Sequence, residues 1–122
     1  MALGAHRGHP ASLGDLLLAT DRSRAFRLYE SSVQDRPISS NLVRLAGARM
    51  VQGRYAEARD LYQRATKLNS WIGDLWLGLA QAQFKLGDIE GARASLATAR
   101  RGLLLDRPGA DALGKQLNQT TR

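Results

Sequence analysis

The sequence predicts an all-α solenoid of antiparallel helix pairs, because apolar residues recur at three- and four-residue steps and the pattern repeats after 34 residues, the interval from Gly53 to Gly87. Sliding the chain by that interval superposes Ala58 on Ala92, Arg59 on Arg93 and Ala65 on Ala99. It also places Leu45-Ala46 on Leu79-Ala80. The matched positions are mostly small or apolar, as a repeated buried interface requires. Composition agrees: 122 residues, 43% of them apolar, form a core of single-domain size. With no cysteine there is neither a disulfide framework nor a thiolate metal site.

Each element follows in order. Residues 1–11, poor in apolar side chains and carrying His6 and His9, are expected to be a mobile tail. Residues 12–122 are expected to form one domain. In the first unit, residues 12–38, Ser12-x-x-Asp15 reads as a capping box that opens a short helix with Leu13, Leu16 and Leu17 on one side. A second helix follows, whose Ala25, Tyr29 and Ser32 answer Ala58, Tyr62 and Ala65 of the next unit, with Pro37 closing it. The second unit, residues 39–72, carries Leu42, Leu45, Ala46 and Met50, turns at Gly53-Arg54, and continues with Tyr55, Ala58, Tyr62 and Ala65. The third unit, residues 73–106, carries Trp76, Leu79, Ala80, Gln83 and Phe84, turns at Gly87-Asp88, and continues with Ile89, Ala92, Leu96 and Ala99. Gly87 suits the left-handed conformation beyond a helix end, and Asp88 can cap the next helix by accepting from its free amides. Gly53 is expected to turn the chain in the same way, with Arg54 a poorer cap. Pro108 lies four residues past the position that strict spacing gives a closing proline, which predicts a final repeat helix one turn longer than its counterparts. Ala110, Leu113 and Leu117 then mark a capping helix over about residues 109–119, covering the stacking face that a terminal repeat exposes.

These units resemble the tetratricopeptide repeat, with its pattern W-x2-L-G-x2-Y, then A-x3-F, then P. Trp76, Leu79, Ala92 and Leu96 fill the Trp, Leu, Ala and Phe slots of the third unit; Leu42, Leu45, Ala58 and Tyr62 fill them in the second. Ala46 and Ala80 stand for the family's Gly, while Arg49 and Gln83 stand for its Tyr. Those two polar residues suggest a looser or partner-covered seam. The resemblance spans roughly residues 12–108 and implies a right-handed superhelix with Trp76 and the Ala58/Ala92 pair buried between stacked helices.

Chemistry offers few alternatives. The formal net charge of +7 raises nucleic acid or anionic lipid as partners, but the arginines are spread along helical segments and do not form a block. Glu30, Glu57 and Glu90 recur on second helices, where an acid near a helix start favours the dipole or pairs with a neighbouring Arg better than it makes a paired-carboxylate site. His6 and His9 alone are too few for a specific zinc site. No phosphate-binding or nucleophile-elbow motif occurs. The sequence therefore proposes no catalytic residue, no metal and no cofactor. No apolar run reaches the ~20 residues of a membrane span, and no export signal is readable, so a cytoplasmic location is the expectation.

The resemblance implies instead a binding module: a scaffold, adaptor or chaperone-like protein holding a peptide or helix of another protein in the concave groove lined by first helices. The groove faces of those helices are expected to offer Val43, Gly47, Met50 and Val51 in the second unit. The third is expected to add Asp74, Leu77, Gln81, Phe84 and Lys85. Val43, Met50, Leu77 and Phe84 would form one accessible apolar strip, unless the terminal helix or a second copy of the chain fills it. Some family members hold a peptide's terminal carboxylate in a clamp of Lys, Arg and Asn; Gly47 and Gln81 occupy places such a clamp needs, and Arg44 and Lys85 alone do not rebuild it. The implied setting is a bacterial secretion, pilus or exopolysaccharide-export assembly. Two alternatives stay open: a self-associating structural repeat protein, and an RNA-binding helical repeat. An apolar strip with few aromatic stacking platforms disfavours RNA.

Overall fold

The computed structural model describes the backbone of residues 13–120 and the side chains from Thr20 onward, and there the chain forms six helices. They are α1 (Leu13–Asp35), α2 (Ser39–Val51), α3 (Tyr55–Leu68), α4 (Gly73–Lys85), α5 (Ile89–Arg101) and α6 (Arg107–Thr120). Pairs α2–α3 and α4–α5 are the two hairpins expected from the repeat. Gly53 and Gly87 turn them with φ of 75° and 84°, the left-handed region that costs glycine little. Asp88 caps α5 by accepting from the Gly91 amide at 3.0 Å, whereas Arg54 makes no side-chain cap on α3.

The core follows the repeat. Ala46, Ala58, Ala65, Ala80, Ala92 and Ala99 are fully buried, which lets neighbouring helices approach closely. One apolar cluster joins Val33 of α1 to Leu42, Leu45, Leu61, Tyr62, Leu75 and Leu79. A second joins Leu77, Leu96 and Leu104 to Ala110, Leu113 and Leu117 of α6. Trp76 lies between them, touching both and half-buried, with its indole N–H donating to the Ser70 carbonyl at 2.8 Å.

Two expectations are corrected. The first unit was to contain two helices, but a single 23-residue helix occupies residues 13–35. No proline and no turn cluster interrupts Thr20-Asp21-Arg22-Ser23, so nothing stops the helix until Arg36-Pro37. Its second half does take the place of a second helix, with Tyr29 packed on the first cluster. The expected cap at Ser12 and the tail with His6 and His9 lie outside the described residues, as do the side chains of Leu13, Leu16 and Leu17.

The longer final repeat helix is the second correction. Helix α5 ends at Arg101, and the extra residues form a connection in which the Leu103 amide donates to the Trp71 carbonyl at 3.0 Å and the Gly73 amide donates to the Leu103 carbonyl at 2.6 Å. Glycine is required on both sides of this contact: a Cβ on Gly73 would lie 2.3 Å from the Ala99 carbonyl oxygen, and one on Gly102 would lie 2.8 Å from that of Trp71. Pro108 accordingly opens α6, where a missing N–H is harmless.

Helix α6 also continues the repeat. A further 34-residue step carries Leu79 to Leu113 and Ala80 to Gly114, so α6 stands where the first helix of another unit would stand. It covers the face of α4 that the repeat would otherwise leave open.

Candidate partner groove

First helices α2 and α4, with the connections that precede them, build the site. At the N-terminal ends of α2 and α4 a cavity of about 570 Å³ opens between Ile38, Val43, Ile72 and Leu75, with Ser39, Ser40, Arg44 and Asn69 around them. Helix geometry explains the grouping: Ser40, Val43 and Arg44 share one face of α2, and Leu75 comes from the first turn of α4. The Ser39 hydroxyl is hydrogen-bonded to the Asn69 side-chain oxygen, tying the start of α2 to the end of α3. Asn41 donates to the Arg36 carbonyl at 2.9 Å and thereby holds the connection that precedes the cavity.

The nine residues expected in the groove do not form one surface. Val43 lines the cavity and is half-buried; Gly47 is half-buried, with open space where a side chain would project. Met50 is half-buried against the first cluster, and Val51 is exposed. Asp74 is used internally: its carboxylate accepts from the Leu105 amide at 2.6 Å and the Asp106 amide at 3.1 Å, fixing the connection into α6. Leu77 is 3% exposed inside the second cluster, so it is core and not an accessible contact. Phe84 is half-buried against that cluster, Gln81 is half-buried and Lys85 is exposed. The expected strip is thus interrupted, because α6 docks its Leu113 and Leu117 stripe where the third unit's groove face would be. Ile38, Ser39, Ser40, Asn69, Ile72 and Leu75 were not expected in the groove; Ile38, Asn69 and Ile72 flank the helices, and groove positions are normally counted within them.

The seam expected to be loose is closed by polar pairs. Gln83 and Ser95 are both buried, and the Ser95 hydroxyl donates to the Gln83 side-chain oxygen at 2.6 Å. Arg49, also buried, reaches Glu30 of α1 at 2.5 Å and Glu57 of α3 at 3.2 Å and donates to Gln52. Glu30 and Glu57 therefore do structural work, joining three helices through one guanidinium. Among the described residues, no group of three or more His, Asp or Glu side chains is placed to hold a metal ion. No described helix is long and apolar enough to cross a membrane.

Stacked antiparallel hairpins in 34-residue register, with first helices lining a groove, define an α-solenoid of helix-turn-helix repeats. A family model described as "Tetratricopeptide repeat" matches residues 49–113, more than half of the chain, and the protein belongs to that family. Its fold is similar to the crystal structure of the Sgt2 TPR domain from Aspergillus fumigatus, with a TM-score of 0.69 and 20% identity, covering 87% of this chain and 74% of that one. No curated protein matches. Domains of this family are generally protein–protein interaction modules and typically non-catalytic.

Proposed function

We propose that this protein is a non-catalytic adaptor that receives an apolar side chain of a partner peptide or helix in the cavity between α2 and α4. The observation that carries the reading is the cavity itself: four aliphatic side chains surrounded by hydroxyls, an amide and Arg44, at the part of the groove left open by α6. Such a lining suits a segment that presents one aliphatic or aromatic anchor with polar neighbours. Gly47 lies one turn beyond Val43 on α2, with nothing within 4 Å of where a side chain would start. A scaffold or chaperone-like role in a bacterial secretion, pilus or exopolysaccharide-export assembly is the setting that we favour, on the family resemblance.

The test is a selection of displayed peptides against the purified chain, repeated with Val43→Ser and Arg44→Glu. Arg44 is exposed and Val43 only half-buried at the edge of the first cluster, so both variants are expected to keep the parent's circular dichroism, Val43→Ser with some loss of stability. Peptides enriched by the parent should share an apolar anchor and bind either variant at least about tenfold more weakly, the effect of losing one anchor contact. Unchanged binding by both folded variants would move recognition to another surface.

A further inference from the structure

A second surface lies on the edge where each second helix hands over to the next first helix. Four large apolar residues are exposed there: Leu68 at 56%, Trp71 at 61%, Leu103 at 53% and Leu105 at 78%. The two connections are adjacent in space, since Leu103 pairs with the backbone on either side of Ile72. In the extended run Leu103-Leu104-Leu105 the side chains alternate, so Leu104 enters the core while its neighbours face outward.

This edge is rigidly held. The Trp71–Leu103 and Leu103–Gly73 hydrogen bonds, with the Asp74 carboxylate on the Leu105 and Asp106 amides, fix both connections before anything binds. A contact made here need not order the backbone of the connections and costs only the freedom of the side chains. Trp71 and Leu103 line one shallow cavity, and the exposed Leu68 and Leu105 lie on the same two connections, so this edge carries apolar surface that the core does not use.

Charge selects the occupant. Lys67, Arg101 and Arg107 are exposed beside the patch and form no ion pair with a carboxylate among the described residues. Two acids lie nearby: the half-buried Asp74 is taken up by the Leu105 and Asp106 amides, and Asp106 is exposed but accepts from the Gly109 amide at 2.9 Å, so the three cations outnumber the acids at this edge. Arg101 and Trp71 line the same shallow cavity of about 370 Å³, where the Arg101 guanidinium donates to the Thr98 hydroxyl at 3.2 Å. A second copy of this chain would bring like charge to like charge, given the net +7. An anionic bilayer surface satisfies both halves of the patch: an indole prefers the headgroup level, leucines reach the acyl boundary, and cations meet phosphate. We propose that this edge is a peripheral docking surface for anionic membranes, separate from the groove between α2 and α4.

The probe is sedimentation of the full chain with phosphatidylcholine vesicles containing phosphatidylglycerol, against phosphatidylcholine alone, with Trp emission followed in parallel. Binding to the anionic vesicles alone and a blue shift that disappears in Trp71→Phe are expected. Trp71→Ser and Leu105→Ser should each weaken binding roughly tenfold, and Arg101→Gln about fivefold, the equivalent of one surface cation. Because these side chains are mostly exposed, melting curves of all variants should match the parent, and Leu105→Ser stands as the second apolar variant should Trp71→Ser misfold. The proposal is overturned by absence of binding to anionic vesicles, which would leave an acidic protein surface as the occupant. It is equally overturned by binding that the two serine variants leave unchanged, since net charge alone would then explain it, or by equal binding to neutral vesicles.

Discussion

Truncating Leu77 to Ala tests whether α6 is part of the folded core. Leu77 is 3% exposed and belongs to the cluster that joins Ala80, Leu96 and Leu104 to Leu113 and Leu117 of α6. The change cuts a buried isobutyl group back to a methyl between α4 and α6, where Asp74 of α4 holds the connection into α6 and limits collapse into the space. A cost of about 3 kcal/mol is expected, within the ~2–5 kcal/mol typical of such sites. At roughly 4 °C per kcal/mol for a domain of this size, the melting temperature should fall by about 12 °C. Val43, one repeat earlier, gives the internal control: it is half-buried at the open cavity, so Val43→Ala should cost only about 1 kcal/mol. Thermal and urea denaturation followed by circular dichroism measure both. Equal, small losses for the two variants would mean that Leu77 lies on an open groove face and that α6 does not dock as described.

Three further outcomes follow from the packing. A Cβ on Gly78 would lie 2.3 Å from Tyr62 Cε1, so Gly78→Ala should cost about 1–3 kcal/mol in urea melts, whereas Gly47→Ala, with nothing within 4 Å, should be neutral or stabilise by up to ~1 kcal/mol. Gln83→Ala leaves the buried Ser95 hydroxyl without its acceptor and should cost about 2 kcal/mol; a double-mutant cycle with Ser95→Ala should return a coupling near 1 kcal/mol, and additive losses would refute the pair. Burial raises the Tyr62 hydroxyl above its ordinary value of 10.0, which favours the neutral ring in the folded state. That contribution is complete below pH ~10 and is lost as pH rises through the folded value, at no more than about 1.4 kcal/mol per pH unit. Tyr62→Phe should therefore show a shallower alkaline loss than the parent in denaturation measured across that range, and parallel curves would contradict the burial.

Local chemistry and period were legible in the chain. Gly53 and Gly87 marked the turns because only glycine adopts that φ cheaply, and Asp88 announced its own cap. The buried alanines of α3 and α5 were visible as 34-residue matches, since a repeated close contact demands the same small residue each time. The same step, taken once more to Leu113 and Gly114, would have shown α6 to be another first helix. Absence of a helix breaker near Thr20 was equally readable, and it explains why α1 is one helix where a pair was expected.

What occupies each face was decided only by tertiary packing. Leu77 and Val43 are equivalent in sequence, yet one is sealed by α6 and the other borders a cavity, because burial depends on which helix lies opposite. Arg49 and Gln83 likewise looked like gaps in the pattern. Their buried environments are made by Glu30, Glu57 and Ser95, residues from other helices whose approach no local spacing records. Asp74 gave up a groove position for two backbone amides 31 and 32 residues away. Periodicity along a helix fixes which side chains share a face, and three-dimensional stacking alone fixes what that face meets.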